Sequence, residues 1–220
     1  MSNSEFNLRE RLAEVGRALY KEGLTSGVSG NISARISGTN KCLIKPSGYS
    51  FNELMPHNFV IVDINTRNVL KGNEKPSIET PFHTRLYKLW KDAGGVVHIH
   101  PQYSTILSIL EKEIIPMGIE IYDAPALAKG IGVTKFAPPG TDELADNLVE
   151  AMKDKVACLM PHHGITVIGK TIEEAAINAR VVENLAKLQY QVMLVGTPKP
   201  LPNHILDTLV KIAEEKGLLV

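Results

Sequence analysis

Gly95-Val96-Val97-His98-Ile99-His100-Pro101 is the stretch on which the reading of this chain turns. A short apolar run bounded by glycine and proline reads as a buried strand. Side chains alternate along a strand with a period of two, so His98 and His100 leave one face while Val97 and Ile99 enter the other. Two imidazoles then converge on one point. Neutral imidazole suits zinc and neighbouring divalent ions, and a pair at this spacing supplies half of a tetrahedral site. The plain alternative is a strand with two half-exposed histidines.

Two further stretches bring more donors of the same kind. Pro76-Ser77-Ile78-Glu79-Thr80-Pro81 lies upstream and Met160-Pro161-His162-His163-Gly164 downstream, each at the edge of an expected regular element. A third histidine and a carboxylate complete a three-histidine site with an acid beside it. Without a metal, His162-His163 reads as a solvated turn and Glu79 as a carboxylate at a helix start.

Composition narrows the classes. The chain has 220 residues, 44% hydrophobic and 22% charged, and 24 basic residues balance 24 acidic ones. One domain spanning 1–220 with a substantial core is expected. Zero net charge without a basic block argues against a nucleic-acid or anionic-membrane partner. Met1-Ser2-Asn3-Ser4-Glu5 lacks a basic segment followed by an apolar run, and no stretch reaches membrane-span length, so the expected location is cytoplasmic. Cys42 and Cys158 sit singly in apolar surroundings and read as core residues.

Leu8, Leu12, Val15 and Leu19 mark an amphipathic first helix ending near Gly23. Thr25 to Asn31, rich in Gly and Ser, is a loop whose N–H groups and hydroxyls suit an anion. Cys42 to Ile44 is an expected strand, followed by Lys45-Pro46-Ser47-Gly48, a second loop of that kind. Phe59 to Val62 and Val69 to Leu70 continue a β-meander. Thr80 is the expected cap of a helix with Pro81 at its first position and Phe82, Leu86, Leu89 and Trp90 as its buried stripe. His83 within that helix is expected to be an exposed or packed residue. Ile106, Leu107 and Leu110 suggest a short helix and Ile114-Ile115-Pro116 a strand. Tyr122 and Asp123 are titratable candidates in the segment after it.

Leu144, Leu148 and Met152 mark a helix opening at Thr141, and Val156 to Met160 a strand that delivers His162-His163-Gly164, with Ile165 to Ile168 returning. Thr171-Ile172-Glu173-Glu174 is a capping box, opening a long helix with the stripe Ile177, Val181, Leu185, Leu188, Val192 and Val195. Prolines at 198, 200 and 202 end it, Ile205, Leu209 and Ile212 mark a last helix, and Leu218-Leu219-Val220 is an apolar tail. Strands and helices without regular βαβ alternation point to a mixed α/β sheet covered by helices.

The ordered series Gly30-Asn31, Pro46-Ser47-Gly48, Pro76-Ser77-Ile78-Glu79, His98-Ile99-His100 and His162-His163-Gly164 resembles the class II aldolase/adducin family over nearly the whole chain. The resemblance implies a three-layer α/β/α fold around a mostly antiparallel sheet, a homotetramer with sites at subunit junctions, and zinc or another divalent ion such as Mn2+ or Co2+. It implies that His98, His100 and His163 bind the metal and His162 does not. Glu79 matches an acid that ligates the resting metal and accepts a proton. A phosphate pocket maps to Gly30, Asn31, Ser47, Gly48 and Ser77, and Lys45 matches a lysine of the epimerase pattern. Ile78 stands where many relatives have a second serine, no tyrosine occupies the Glu214 to Gly217 region, and Asp123 falls where the epimerase has a catalytic aspartate.

The implied activity is zinc-dependent retro-aldol cleavage of a sugar phosphate of the L-fuculose 1-phosphate type into dihydroxyacetone phosphate and an aldehyde. L-ribulose-5-phosphate 4-epimerase is the alternative, since the same bond breaks and reseals. A non-catalytic adducin-like interaction module is the third reading, and it predicts damaged ligands where this sequence has them all.

Overall fold

A computed structural model of the chain describes residues 3–217. Its centre is an eight-stranded sheet in the order β4-β3-β2-β1-β5-β8-β7-β6. The strands are β1 (Asn31–Ile36), β2 (Lys41–Ile44), β3 (Val60–Asp63), β4 (Val69–Lys71), β5 (Gly95–Ile99), β6 (Gly132–Val133), β7 (Ala157–Met160) and β8 (Gly164–Gly169). Neighbours are antiparallel except β6 and β7. The helices are α1 (Asn3–Lys21), α2 (Thr80–Leu89), α3 (Gln102–Ile109), α4 (Asp142–Ala151), α5 (Ile172–Met193) and α6 (Asn203–Glu215). The expected α/β architecture with a mostly antiparallel sheet is therefore the observed one.

β5 is buried along its whole length because helices cover both of its faces. The α5 side is so close that a Cβ on Gly95 would lie 2.5 Å from the Ile172 Cα and 2.8 Å from the Thr171 carbonyl oxygen. Only glycine fits there. On the other face, the Phe82 ring of α2 meets the His98 ring edge-on at 5.4 Å. The register sets His98 opposite Asn31 of β1 and Thr166 of β8, in the middle of the sheet rather than at an exposed edge.

Several local expectations are corrected. Ile114-Ile115-Pro116 is not a strand. Its backbone is held by the buried Gln189 of α5, whose Oε1 accepts from the Ile115 N–H at 2.7 Å and whose Nε2 donates to the Glu113 carbonyl at 2.8 Å. Thr80 is the first residue of α2, and Glu79 is the residue at the cap position. Within α2, His83 and Tyr87 are fully buried while Leu89 and Trp90 are half-buried.

Thr171 does cap α5, accepting from the Glu174 N–H, but the Glu174 carboxylate returns to the Lys170 N–H, one residue beyond the capping-box position. The α5 stripe is also displaced: Ile177 and Val195 are exposed, and Ala175, Ala179, Val182 and Ala186 are buried. Small alanines let the helix approach the glycines of β5 and β8, so the face packed on the sheet is not the face with the largest apolar residues. Cys42 and Cys158 are buried free thiols, as expected. Leu218-Leu219-Val220 lies outside the described residues.

Candidate metal centre and substrate cleft

The end of β5 builds the site. His98 is fully buried, and its Nδ1 lies 2.9 Å from the Ile165 carbonyl oxygen, which can only accept. Nδ1 therefore carries the proton and Nε2 points a lone pair away from the strand. Thr166 Oγ1, 3.2 Å from the same Nδ1, reinforces that orientation. His100 follows just past the strand, and its Nε2 stands 2.9 Å from His98 Nε2. Immediately afterwards Glu183 of α5 accepts from the Tyr103 and Ser104 N–H groups at 2.8 Å each, fastening the start of α3 and with it the His100 segment.

His163 comes from the tight β7–β8 turn. His162 takes the left-handed conformation there, with φ 56°, which a non-glycine residue adopts at some cost. Its ring goes to Phe136, 6.1 Å away, and the His163 ring enters the cavity. A Cβ on Gly164 would sit 2.4 Å from the Ile99 carbonyl and 2.8 Å from His100 Cδ2, so glycine is what lets this turn close on the histidine pair. The ring centroids of His98, His100 and His163 are 4.7–4.8 Å apart, and their donor nitrogens all lie within 4.8 Å of one another.

Glu79 completes the cluster from the start of α2. It is buried, with Oε2 3.2 Å from His98 Nε2 and 2.7 Å from Asn31 Nδ2, and Oε1 3.6 Å from His163 Nε2. Oε1 is a buried carboxylate oxygen without a hydrogen-bond partner. Burial pushes the Glu79 carboxyl upward, but the facing His98 and His163 rings and the Asn31 amide outweigh it and hold it well below the usual carboxylate range. Burial, followed by the His98 neighbour, lowers His100 to about 3 and His163 to about 4, so both rings are neutral donors near pH 7.

The donor set fits a divalent cation. Neutral imidazole nitrogens facing one another beside an ionised, unsatisfied carboxylate oxygen are short of positive charge, and nitrogen with carboxylate oxygen is the ligand chemistry of zinc and its neighbours. His98, His100 and His163 can hold such an ion, with Glu79 alongside.

A cleft of about 270 Å³ opens onto His100, His163 and Glu79. Its walls include Gly30, Asn31, Lys45, Ser47, Gly48 and Ser77, the residues matched to a phosphate pocket. Two loops are stitched together to form that wall: Pro46 bridges to Pro76, Ser47 N–H donates to the Lys75 carbonyl at 2.8 Å, and Ser77 N–H to the Lys45 carbonyl at 3.1 Å. Buried Lys45 donates to the Val28 carbonyl at 3.2 Å, and burial lowers its pKa to about 8 against the pull of Glu79. Val28, Ile78 and Pro139 add an apolar side to the mouth.

A larger cavity of about 520 Å³ lies at the opposite end of the sheet, lined by Arg11, Arg35, Lys91 and Lys170 among others, and includes none of the metal-centre residues. Asp123 is exposed at the end of the 3-10 turn Ile119–Asp123 and is not among the residues lining the cleft of its own chain. Sequence reading missed Thr166, Glu183 and Pro139, which act by position. It also missed a buried polar chain through Ser33, His83 and Tyr87, although Asn31 and Ser33 share a strand face and His83 and Tyr87 a helix face.

Comparison with known proteins agrees with this geometry. The family model described as Class II Aldolase and Adducin N-terminal domain matches residues 10–190. The chain is 33% identical over 211 residues to 5-methylthioribulose-1-phosphate/5-deoxyribulose-1-phosphate aldolase of Rhodospirillum rubrum, covering 96% of this chain and 93% of the relative. It is 31% identical over 212 residues to 3-oxo-tetronate 4-phosphate decarboxylase of Haemophilus influenzae, covering 95% and 97%. A solved structure of L-fuculose 1-phosphate aldolase superposes with a TM-score of 0.87 at 29% identity, covering 94% of this chain and 96% of that one.

Proposed function

Because the chain belongs to the class II aldolase and adducin family, we propose that it is a divalent-metal lyase, with zinc the preferred ion, that cleaves a ketose 1-phosphate into dihydroxyacetone phosphate and an aldehyde. The observation that carries this reading is the convergence of His98, His100, His163 and the unsatisfied Glu79 carboxylate at the floor of a cleft walled by Lys45, Ser47 and Ser77. An ion bound there supplies Lewis-acid stabilisation of the negative charge that develops on the carbonyl side of the breaking bond.

The chain's own groups do the rest. Lys45, the Gly48 N–H and the Ser47 and Ser77 hydroxyls hold the phosphate and so fix where the carbonyl lies. When the bond between the third and fourth carbons breaks, its electron pair stays on the third carbon and the hydroxyl proton of the fourth is released as the aldehyde forms. The third carbon then takes up a proton. Glu79 is the carboxylate beside the site that carries a proton to and from that carbon. Asp123, exposed and outside the cleft of its own chain, would reach a site only from a neighbouring copy, as in a homotetramer with shared sites.

The similarity to a 5-methylthioribulose-1-phosphate/5-deoxyribulose-1-phosphate aldolase supports 5-methylthio and 5-deoxy ketoses as the first substrates to test. L-fuculose 1-phosphate belongs in the same panel. The test is incubation with each ketose 1-phosphate, with enzymatic detection of dihydroxyacetone phosphate, before and after chelation and re-addition of Zn2+, Mn2+ or Co2+. Triose phosphate release that chelation abolishes is expected. Carbon dioxide from a 3-oxo acid phosphate, or an isomeric pentulose phosphate from L-ribulose 5-phosphate, without cleavage of any 1-phosphate, would overturn the aldolase reading.

A further inference from the structure

Behind Glu79 runs a chain of buried hydrogen bonds that touches no part of the cleft except through Asn31. Asn31 Nδ2 lies 2.7 Å from Glu79 Oε2, and Asn31 Oδ1 makes a short contact with His83 Nε2. His83 Nδ1 is 2.7 Å from Ser33 Oγ, which is 2.8 Å from the Tyr87 hydroxyl. His83, Ser33 and Tyr87 are fully buried and Asn31 nearly so. The arrangement follows from two periodicities: Asn31 and Ser33 are two apart on β1, and Glu79, His83 and Tyr87 are successive turns from the start of α2.

The direction of every bond in the chain is fixed by its first partner. Asn31 gives Glu79 Oε2 an amide N–H and thereby turns its carbonyl oxygen to His83. His83 Nε2 must then carry a proton. Burial, followed by the His98 neighbour, lowers the His83 pKa to about 3, so the ring holds a single proton and Nδ1 is a lone pair. Ser33 donates to that lone pair and accepts from Tyr87. Each polar atom thus has one compatible role, and the Asn31 amide cannot flip without leaving two buried acceptors face to face.

We propose that His83 is a positioning residue for Glu79: its Nε2–H, selected by Ser33 and Tyr87, locks the Asn31 amide so that Glu79 Oε2 is occupied and Oε1 is the oxygen left free to take the proton. The proposal rests on the reading of Glu79 as proton carrier. It accounts for the N–H donor that Glu79 Oε2 receives from Asn31. It also explains a fully buried histidine that is too far along α2 to be one of the clustered donors.

Two measurements test it. In 15N-histidine spectra of the zinc-loaded protein, the signals lost in His83→Gln should show the Nε2–H tautomer, and Ser33→Ala should convert them to a mixture. An Nδ1–H or doubly protonated pattern in the wild type overturns the proposal. In steady-state kinetics, His83→Leu should lower kcat by about 10- to 100-fold with KM and metal content unchanged, and His83→Gln, which keeps a donor near Nε2, should recover most of it. Full turnover in His83→Leu overturns the positioning role while a dead Glu79→Gln leaves the parent reading standing. Full turnover in Glu79→Gln removes the parent reading itself. Should His83→Leu not fold, Ser33→Ala decides: an unchanged tautomer pattern with unchanged kcat overturns the proposal.

Discussion

β5 begins and ends in opposite surroundings. At Gly95 the backbone of Thr171 and Ile172 is so close that a single methyl group has no room, and the polar atoms nearby belong to backbone. At His98 and His100 the situation inverts: lone pairs outnumber the protons to satisfy them, and a cleft provides space. One end of the strand is limited by volume and the other by charge. Substitutions at the two ends should therefore fail for different reasons, and the difference can be measured.

The largest effect is expected at the charge-limited end. His98→Ala removes the imidazole that faces both His100 and Glu79, and, His98 being a proposed ligand, the loss of metal affinity should exceed the roughly 10- to 100-fold typical of an outer partner. Elemental analysis of the purified variant should find no bound ion, and turnover should vanish with it. Chemical denaturation should show a folded protein of lowered stability, since the Ile165 carbonyl loses its imidazole donor. A metal-replete His98→Ala would break the contrast between the two ends.

Gly95→Ala should do the reverse. The added Cβ meets backbone on α5 that cannot rotate away, and overpacking of this kind costs about 1–3 kcal/mol. The denaturation midpoint should fall with an unchanged slope, while the folded fraction keeps its metal and its KM. An unchanged midpoint would mean that α5 yields freely, and that volume is not what limits this end.

The same contrast governs what could be read before folding. The histidine pair is visible because strand alternation is local, and Glu79 is visible because Pro81 marks a helix start. His163 is visible because it follows a strand. What stayed hidden depends on partners distant in sequence. Asn31 belongs to a strand because it pairs with His98 of β5, and β6 is two residues that gain strand geometry only from β7. Ile114 and Ile115 look like a strand until Gln189 takes their backbone groups. The buried face of α5 is written in alanines, which hydropathy underweights, and the His83 chain joins a helix period to a strand period that no single window contains.

Lys45 gives a weaker effect that sharpens the charge side of the comparison. Its pKa falls from 10.5 to about 8, burial being the main cause. Between those values the unfolded chain binds a proton that the folded chain has lost, so stability rises with pH through this window and the burial penalty is fully present below it. Denaturation midpoints measured on either side of pH 8 should show that rise, and Lys45→Met should abolish it. If Lys45 also holds the substrate phosphate, KM should climb over the same range as the ammonium discharges. A stability that falls through the window would show that Lys45 gains more from Glu79 than it loses by burial.

The smallest effect is expected near the volume-limited end, where Arg11 of α1 grips Glu173 of α5 with Nε and Oε1 2.6 Å apart. The geometry is bidentate, yet the side chains are 47% and 40% exposed, and water and salt screen such a pair. Arg11→Ala should cost no more than about 0.5–1 kcal/mol, a difference that shrinks at high salt. The pair sits beside the glycine contacts of β5, so a double variant with Gly95→Ala asks whether the ion pair helps press α5 onto the sheet. Additive losses mean that the fit of backbone against backbone alone sets the spacing. A combined loss smaller than the sum means that the ion pair draws the helix inward, and that the methyl group at 95 is tolerated once the helix is released.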